Sequence, residues 1–197
     1  MNNKQSMTIG IPTRLEAEEI LREAETHNIG LWGKHSRNVA LCAEKIAVAC
    51  GMDGDKAYVL GLLHDIGRKF GVRHLGHVYD GYKYMRDLGY TQVAKICLTH
   101  SFCIQDISVY IGEFDIVDME MQELKVALNS VEYDDYDRLI QLCDALGAAN
   151  GIADIVQRMQ DVKNRYGFYP QNKWDKNIEL KQYFENIAKR NIYEIIG

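Results

Sequence analysis

Two prolines in 197 residues, with apolar residues recurring at helical spacing and little Val-Thr alternation, constrain this chain more than any other feature. Proline breaks helix interiors. Its near absence, with apolar stripes of period 3.6, predicts an all-α fold of eight to ten helices. Pro12-Thr13 opens a first helix over about 14–28, acidic in its first half, and a second runs from about Trp32 to Cys50 with Gly51 as its stop. A third is expected from Asp53 through KAYVLGLLHDIGRKF to about Phe70, then one over 77–88 and one opened by Thr91. Residues 104–118 read as helix, extended chain or loop. Helices are expected over 119–131, 134–150 and 153–165, and a last amphipathic one over about 175–195. That last helix has an apolar face broad enough to cover the chain's own core or a second copy in a homodimer.

Composition narrows the function classes. Apolar residues at 47% and charged residues at 26% are those of a globular domain, with no run long enough to span a membrane. The start MNNKQSMTIG lacks a signal-peptide pattern, so the expected address is the cytoplasm. A net charge of -5 gives no global field for gathering nucleic acid, so a phosphate-bearing ligand would need a local basic pocket. Five cysteines (Cys42, Cys50, Cys97, Cys103, Cys143), odd in number and without CxxC, fit a reduced compartment and small core residues.

The chemistry concentrates at His64-Asp65, an imidazole and a carboxylate set among Leu62, Leu63 and Ile66. Burying both is costly unless something compensates the charge, and a divalent metal would. Alone, the dipeptide reads as a hydrogen-bonded Asp-His pair at a helix end. Its context changes that. His35 lies on the preceding helix, His77 opens the next, His100 ends the fifth, and Asp144 sits mid-helix in LIQLCDALG. Imidazole and carboxylate together suit Fe, Mn, Zn, Co or Ni, and the carboxylates admit Mg. His27 reads as the end of its helix, and His74 as an alternative ligand beside His77.

The order His35, His64-Asp65, Asp144 resembles the H…HD…D signature of the HD-domain metal-dependent phosphohydrolases, and LLHDIGRKFG resembles that family's most recognisable segment. His77-x-x-x-Gly81 and His100-Ser101 resemble the two extra histidine motifs of its two-metal branch, which includes the symmetrical diadenosine tetraphosphate hydrolases. The resemblance covers about 32–150. It implies a single helical domain over 14–197, with an HD metal-binding core at about 32–150 on which C-terminal helices at 153–195 pack. It also implies that His35, His64, Asp65 and Asp144 hold a first divalent ion, and that Asp65 bridges to a second held by His77 and His100. Water activated by one or two ions would attack phosphorus in a nucleotide or other phosphate ester or anhydride. The family often has Lys where Arg68 stands here. Arg68 is expected to act in catalysis and to touch substrate, with Lys69, Arg73 and Lys34 as further substrate-binding candidates. Two other readings keep the same ligand set: a non-catalytic metal- or nucleotide-binding regulatory module, and oxygenation at a di-iron centre.

Overall fold

Thr13 starts the first helix. Its hydroxyl accepts from the Glu16 backbone N–H, and the Glu16 carboxylate accepts from the Thr13 backbone N–H in return. From that cap the computed structural model, which describes residues 10–197, runs through ten α-helices: α1 (Arg14–His27), α2 (Trp32–Ala49), α3 (Gly54–Leu63), α4 (Leu75–Asp87), α5 (Thr91–Thr99), α6 (Asp118–Ser130), α7 (Asp135–Leu146), α8 (Ile155–Tyr166), α9 (Gln171–Ala188) and α10 (Ile192–Ile196). The fold is all-α. Short 3-10 turns at Ile66–Phe70 and Ile107–Val109 and a two-residue antiparallel ribbon, Gly147–Ala148 against Gly151–Ile152, complete it.

Three elements differ from the sequence expectation. The helix expected over 53–70 ends at Leu63. His64 closes it, Asp65 leaves helical geometry (φ -102, ψ 15), and a 3-10 turn follows. The helix expected over 134–150 ends at Leu146, where the chain turns into the ribbon. The helix expected over 175–195 begins earlier, at Gln171, and breaks at Lys189 in the left-handed region (φ 55). Asn191 then caps α10, its side-chain oxygen accepting from Tyr193 N–H at 2.9 Å.

α2 is central, packed on α3, α7 and α10. Close approach of α3 to α2 depends on Gly61, since a Cβ there would lie 2.9 Å from the Ala40 Cα. The 3-10 turn and α4 meet in the same way at Gly67 and Gly81, where a Cβ on Gly67 would overlap the His77 carbonyl. One apolar cluster gathers Leu21, Ile46, Leu60, Leu63, Ile140 and Phe184. A second lies under α4 and α6 around Leu75, Phe102 and Leu124. No helix among the described residues is long and apolar enough to cross a membrane.

Candidate metal centre

Several helix ends meet at one point. His64 follows the last residue of α3, His100 follows the last residue of α5, and Asp144 lies in the last turn of α7. Helix C-termini carry negative partial charge and favour a cation. His35 reaches the same point from the first turn of α2, and His77 from the first turn of α4. The helix break after Leu63 turns Asp65 into this space, and the glycine contact at Gly67–Gly81 draws His77 up to it.

All six residues converge. One donor atom each from His35, His64 and Asp65 falls within 4.8 Å of the others, and so do donors from Asp65, His77 and His100. Asp144 Oδ1 joins the first group, 3.0 Å from His35 Nε2 and 3.6 Å from His64 Nε2. Asp65 stands between the groups. Its Oδ1 is 3.1 Å from His77 Nε2 and 3.5 Å from His100 Nε2, while its Oδ2 is 4.0 Å from His64 Nε2. His64, Asp65, His77 and His100 are buried; His35 and Asp144 are partly open to an adjoining cavity.

Backbone contacts fix the tautomers. His64 Nδ1 lies 2.7 Å from the Gly61 carbonyl, His100 Nδ1 lies 2.9 Å from the Cys97 carbonyl, and His77 Nδ1 contacts the His74 carbonyl. A carbonyl only accepts, so each Nδ1 carries a proton, and in the neutral ring Nε2 then presents its lone pair. Burial, with Arg68 close by, pushes His77 down to about 4, so this ring is neutral at ordinary pH. Burial opposes ionisation of Asp65, but Arg68 and the imidazoles outweigh it and hold the carboxyl well below its usual range. Asp144 is likewise held well below, burial being outweighed by His35 and His64. The Nε2 atoms of His77 and His100 face each other at 3.3 Å, and both face Asp65 Oδ1. Two imidazole nitrogens and a carboxylate oxygen directed at one point suit a cation held between them. In the first group burial disfavours a charged His64, but Asp65 and Asp144 outweigh it and raise its proton affinity. There a proton or an ion can satisfy the same lone pair. The donor set, nitrogen and carboxylate oxygen without thiolate, fits a divalent ion in each group. Cys97, beside His100, is no ligand: its thiol donates to the Leu63 carbonyl, and burial pushes it up.

The cavity beside the cluster has a volume of about 720 Å³, with His35, Asp65, Arg68, His77, His100 and Asp144 on its wall. Arg68 Nε donates to Asp65 Oδ2 at 2.5 Å. The other cations expected to touch substrate lie off the wall. Lys34 is exposed at the start of α2. Lys69 is drawn to the Tyr84 hydroxyl and Glu23. Arg73 is clamped by both oxygens of Asp80, with Glu120 3.8 Å away. Each has a partner or solvent elsewhere, and none of the three lines this cavity. His74 stands outside both groups, its ring edge-on to Tyr166. The cavity's further cations, Arg158, Arg165 and Lys173, come from α8 and α9. Sequence motifs do not reach them. The one available signal was Lys173, a cation in the first turn of a helix, where the dipole disfavours it.

Residues 32–149, more than half of the chain, match the family described as HD domain. No curated protein and no solved structure matches the chain.

Proposed function

The chain belongs to the HD-domain family, and from that premise we propose that it is a metal-dependent phosphohydrolase acting on a nucleotide or other phosphate ester or anhydride. One observation carries the reading: the Nε2 atoms of His77 and His100 lie 3.1 and 3.5 Å from Asp65 Oδ1, while those of His35 and His64 lie 3.0 and 3.6 Å from Asp144 Oδ1. His35, His64, Asp65 and Asp144 would hold one divalent ion, and Asp65, His77 and His100 a second. That arrangement supports the two-metal branch of the family. When bound, the ions supply an activated water nucleophile and neutralise charge on the phosphoryl oxygens.

The chain's own groups do the rest. Backbone carbonyls of Gly61, His74 and Cys97 lock three imidazoles with Nε2 forward, so little side-chain freedom remains to be lost on loading. Asp65 aims one oxygen at each group. Arg68 is oriented by Asp65 through Nε alone, which leaves its Nη groups to fork two phosphate oxygens at the cavity wall. The chain's net charge of -5 favours a small phosphate compound over nucleic acid, and its composition and five cysteines without CxxC favour a reducing, cytoplasmic setting.

The test is metal analysis of the purified protein coupled to a hydrolysis screen of nucleotides, phosphomonoesters and phosphoanhydrides. Bound divalent metal and turnover abolished by chelation are expected. Bound metal with no turnover across the screen would assign the cluster to a regulatory module instead. Turnover of an unphosphorylated compound that needs oxygen would assign it to oxygenation.

A further inference from the structure

Lys173 is a lysine in an unusual position. Its Nζ lies in the cavity wall, bonded to the Ser101 carbonyl at 2.9 Å and 3.5 Å from the Val109 carbonyl. No carboxylate among the described residues pairs with it. An ammonium taken partly out of water with no paired carboxylate is costly, and two carbonyl contacts and the more distant Asp144 offset only part of that cost. Two more cations share the wall. Arg158 uses Nε on the Gly147 carbonyl at 3.0 Å, which leaves its Nη groups directed elsewhere, and Arg165 lies two turns further along α8. Neither has an ion-pair partner among the described residues. Of the three carboxylates on the cavity among the described residues, Asp65 and Asp144 belong to the His/Asp cluster and only Asp161 lies on α8 with Arg158 and Arg165, so this side of the wall has a net positive excess. Every residue of this cationic group lies beyond residue 149, outside the part of the chain that matches the family.

We propose that Arg158, Arg165 and Lys173 form a second anion subsite that takes a phosphate group of the substrate other than the one attacked. The proposal rests on the phosphohydrolase reading, since it supposes that the attacked phosphate lies at the His/Asp cluster. Two guanidinium groups and an ammonium match the several oxygens and double charge of a phosphate better than the single charge of a carboxylate. A substrate with two or more phosphates, in a chain or at two positions, would then bridge from Arg68 to Lys173 across one cavity.

Calorimetric titration of the metal-stripped full chain with inorganic tripolyphosphate, with succinate as the carboxylate control, isolates this subsite from the metals. Tripolyphosphate is expected to bind at least about tenfold more tightly than succinate, and Lys173→Met and Arg158→Gln each to weaken it about tenfold. Arg165→Gln, at an exposed position that a folded chain tolerates, is expected to weaken it less. Thermal melts establish that each variant is folded. Equal affinity for succinate, or unchanged tripolyphosphate binding in folded Arg158→Gln and Arg165→Gln, overturns the subsite. A chain that binds metal and hydrolyses phosphomonoesters yet fails this titration would retain the phosphohydrolase reading and lose only the subsite. A chain without metal or turnover loses the parent reading instead.

Discussion

Asp65 is the residue that both donor groups share, its Oδ1 lying toward His77 and His100 and its Oδ2 toward His64. Asp65→Asn keeps the shape and removes the charge. Metal content is expected to fall in both groups and turnover by at least about 100-fold, with an unchanged circular dichroism spectrum. Full metal content in that variant would show that the carboxylate is not shared. His77 gives a pH test. Its folded value, about 4, lies below the ordinary 6.5, so as pH falls between those values the unfolded chain takes up a proton that the folded chain refuses. The stability from a neutral, buried His77 is complete above pH 6.5 and drains away toward pH 4, by up to ~3 kcal/mol. In chelator-treated protein, denaturant titrations should show the advantage of wild type over His77→Gln shrinking across that interval. A constant difference would contradict the neutral ring.

At the scale of elements, the contact between the 3-10 turn and α4 sets the distance between Asp65 and His77. Gly67→Ala would press a methyl into the His77 carbonyl and the Gly81 nitrogen, and urea midpoints are expected to report a loss of ~2–3 kcal/mol or more. A neutral effect would mean that the turn can back away freely. The sequence showed helices wherever an apolar stripe met a stop, as at Gly51 and Gly89. It did not show the break at His64-Asp65, because Leu60, Leu63 and Ile66 continue the helical period straight through it. The break answers to a tertiary demand, the approach of α4 at Gly67 and Gly81, which periodicity does not encode. The ribbon at 147–152 was equally hidden, since two residues per strand are too few to alternate.

For the whole molecule, the proposed ions would tie together α2, α3, α4, α5 and α7. Saturation at about 1,000 times Kd adds ~4 kcal/mol to folding. Chelation should therefore lower the melting temperature by roughly 10 °C in calorimetry, and an unchanged melt would argue against bound metal. The buried Leu180, Phe184 and Ile192 share one apolar cluster with Ile46 and Leu63. A chain ending at residue 150 is accordingly expected to lose cooperative unfolding, and a sharp thermal transition in that fragment would show two independent units. The His/Asp cluster was legible in the sequence because His and Asp in apolar helices are conspicuous. The cavity's far wall was not, because Arg158 and Lys173 resemble any surface cations until α8 and α9 are folded back over Ser101 and Gly147.

That division of the cavity has an evolutionary consequence. The His/Asp cluster lies within residues 32–149, the stretch that matches the family, while the cations of the far wall lie in a later stretch. On the proposed reading, change confined to the last fifty or so residues would retune which compound is accepted and leave the His/Asp cluster untouched, so two chains with the same cluster need not share a metabolic role.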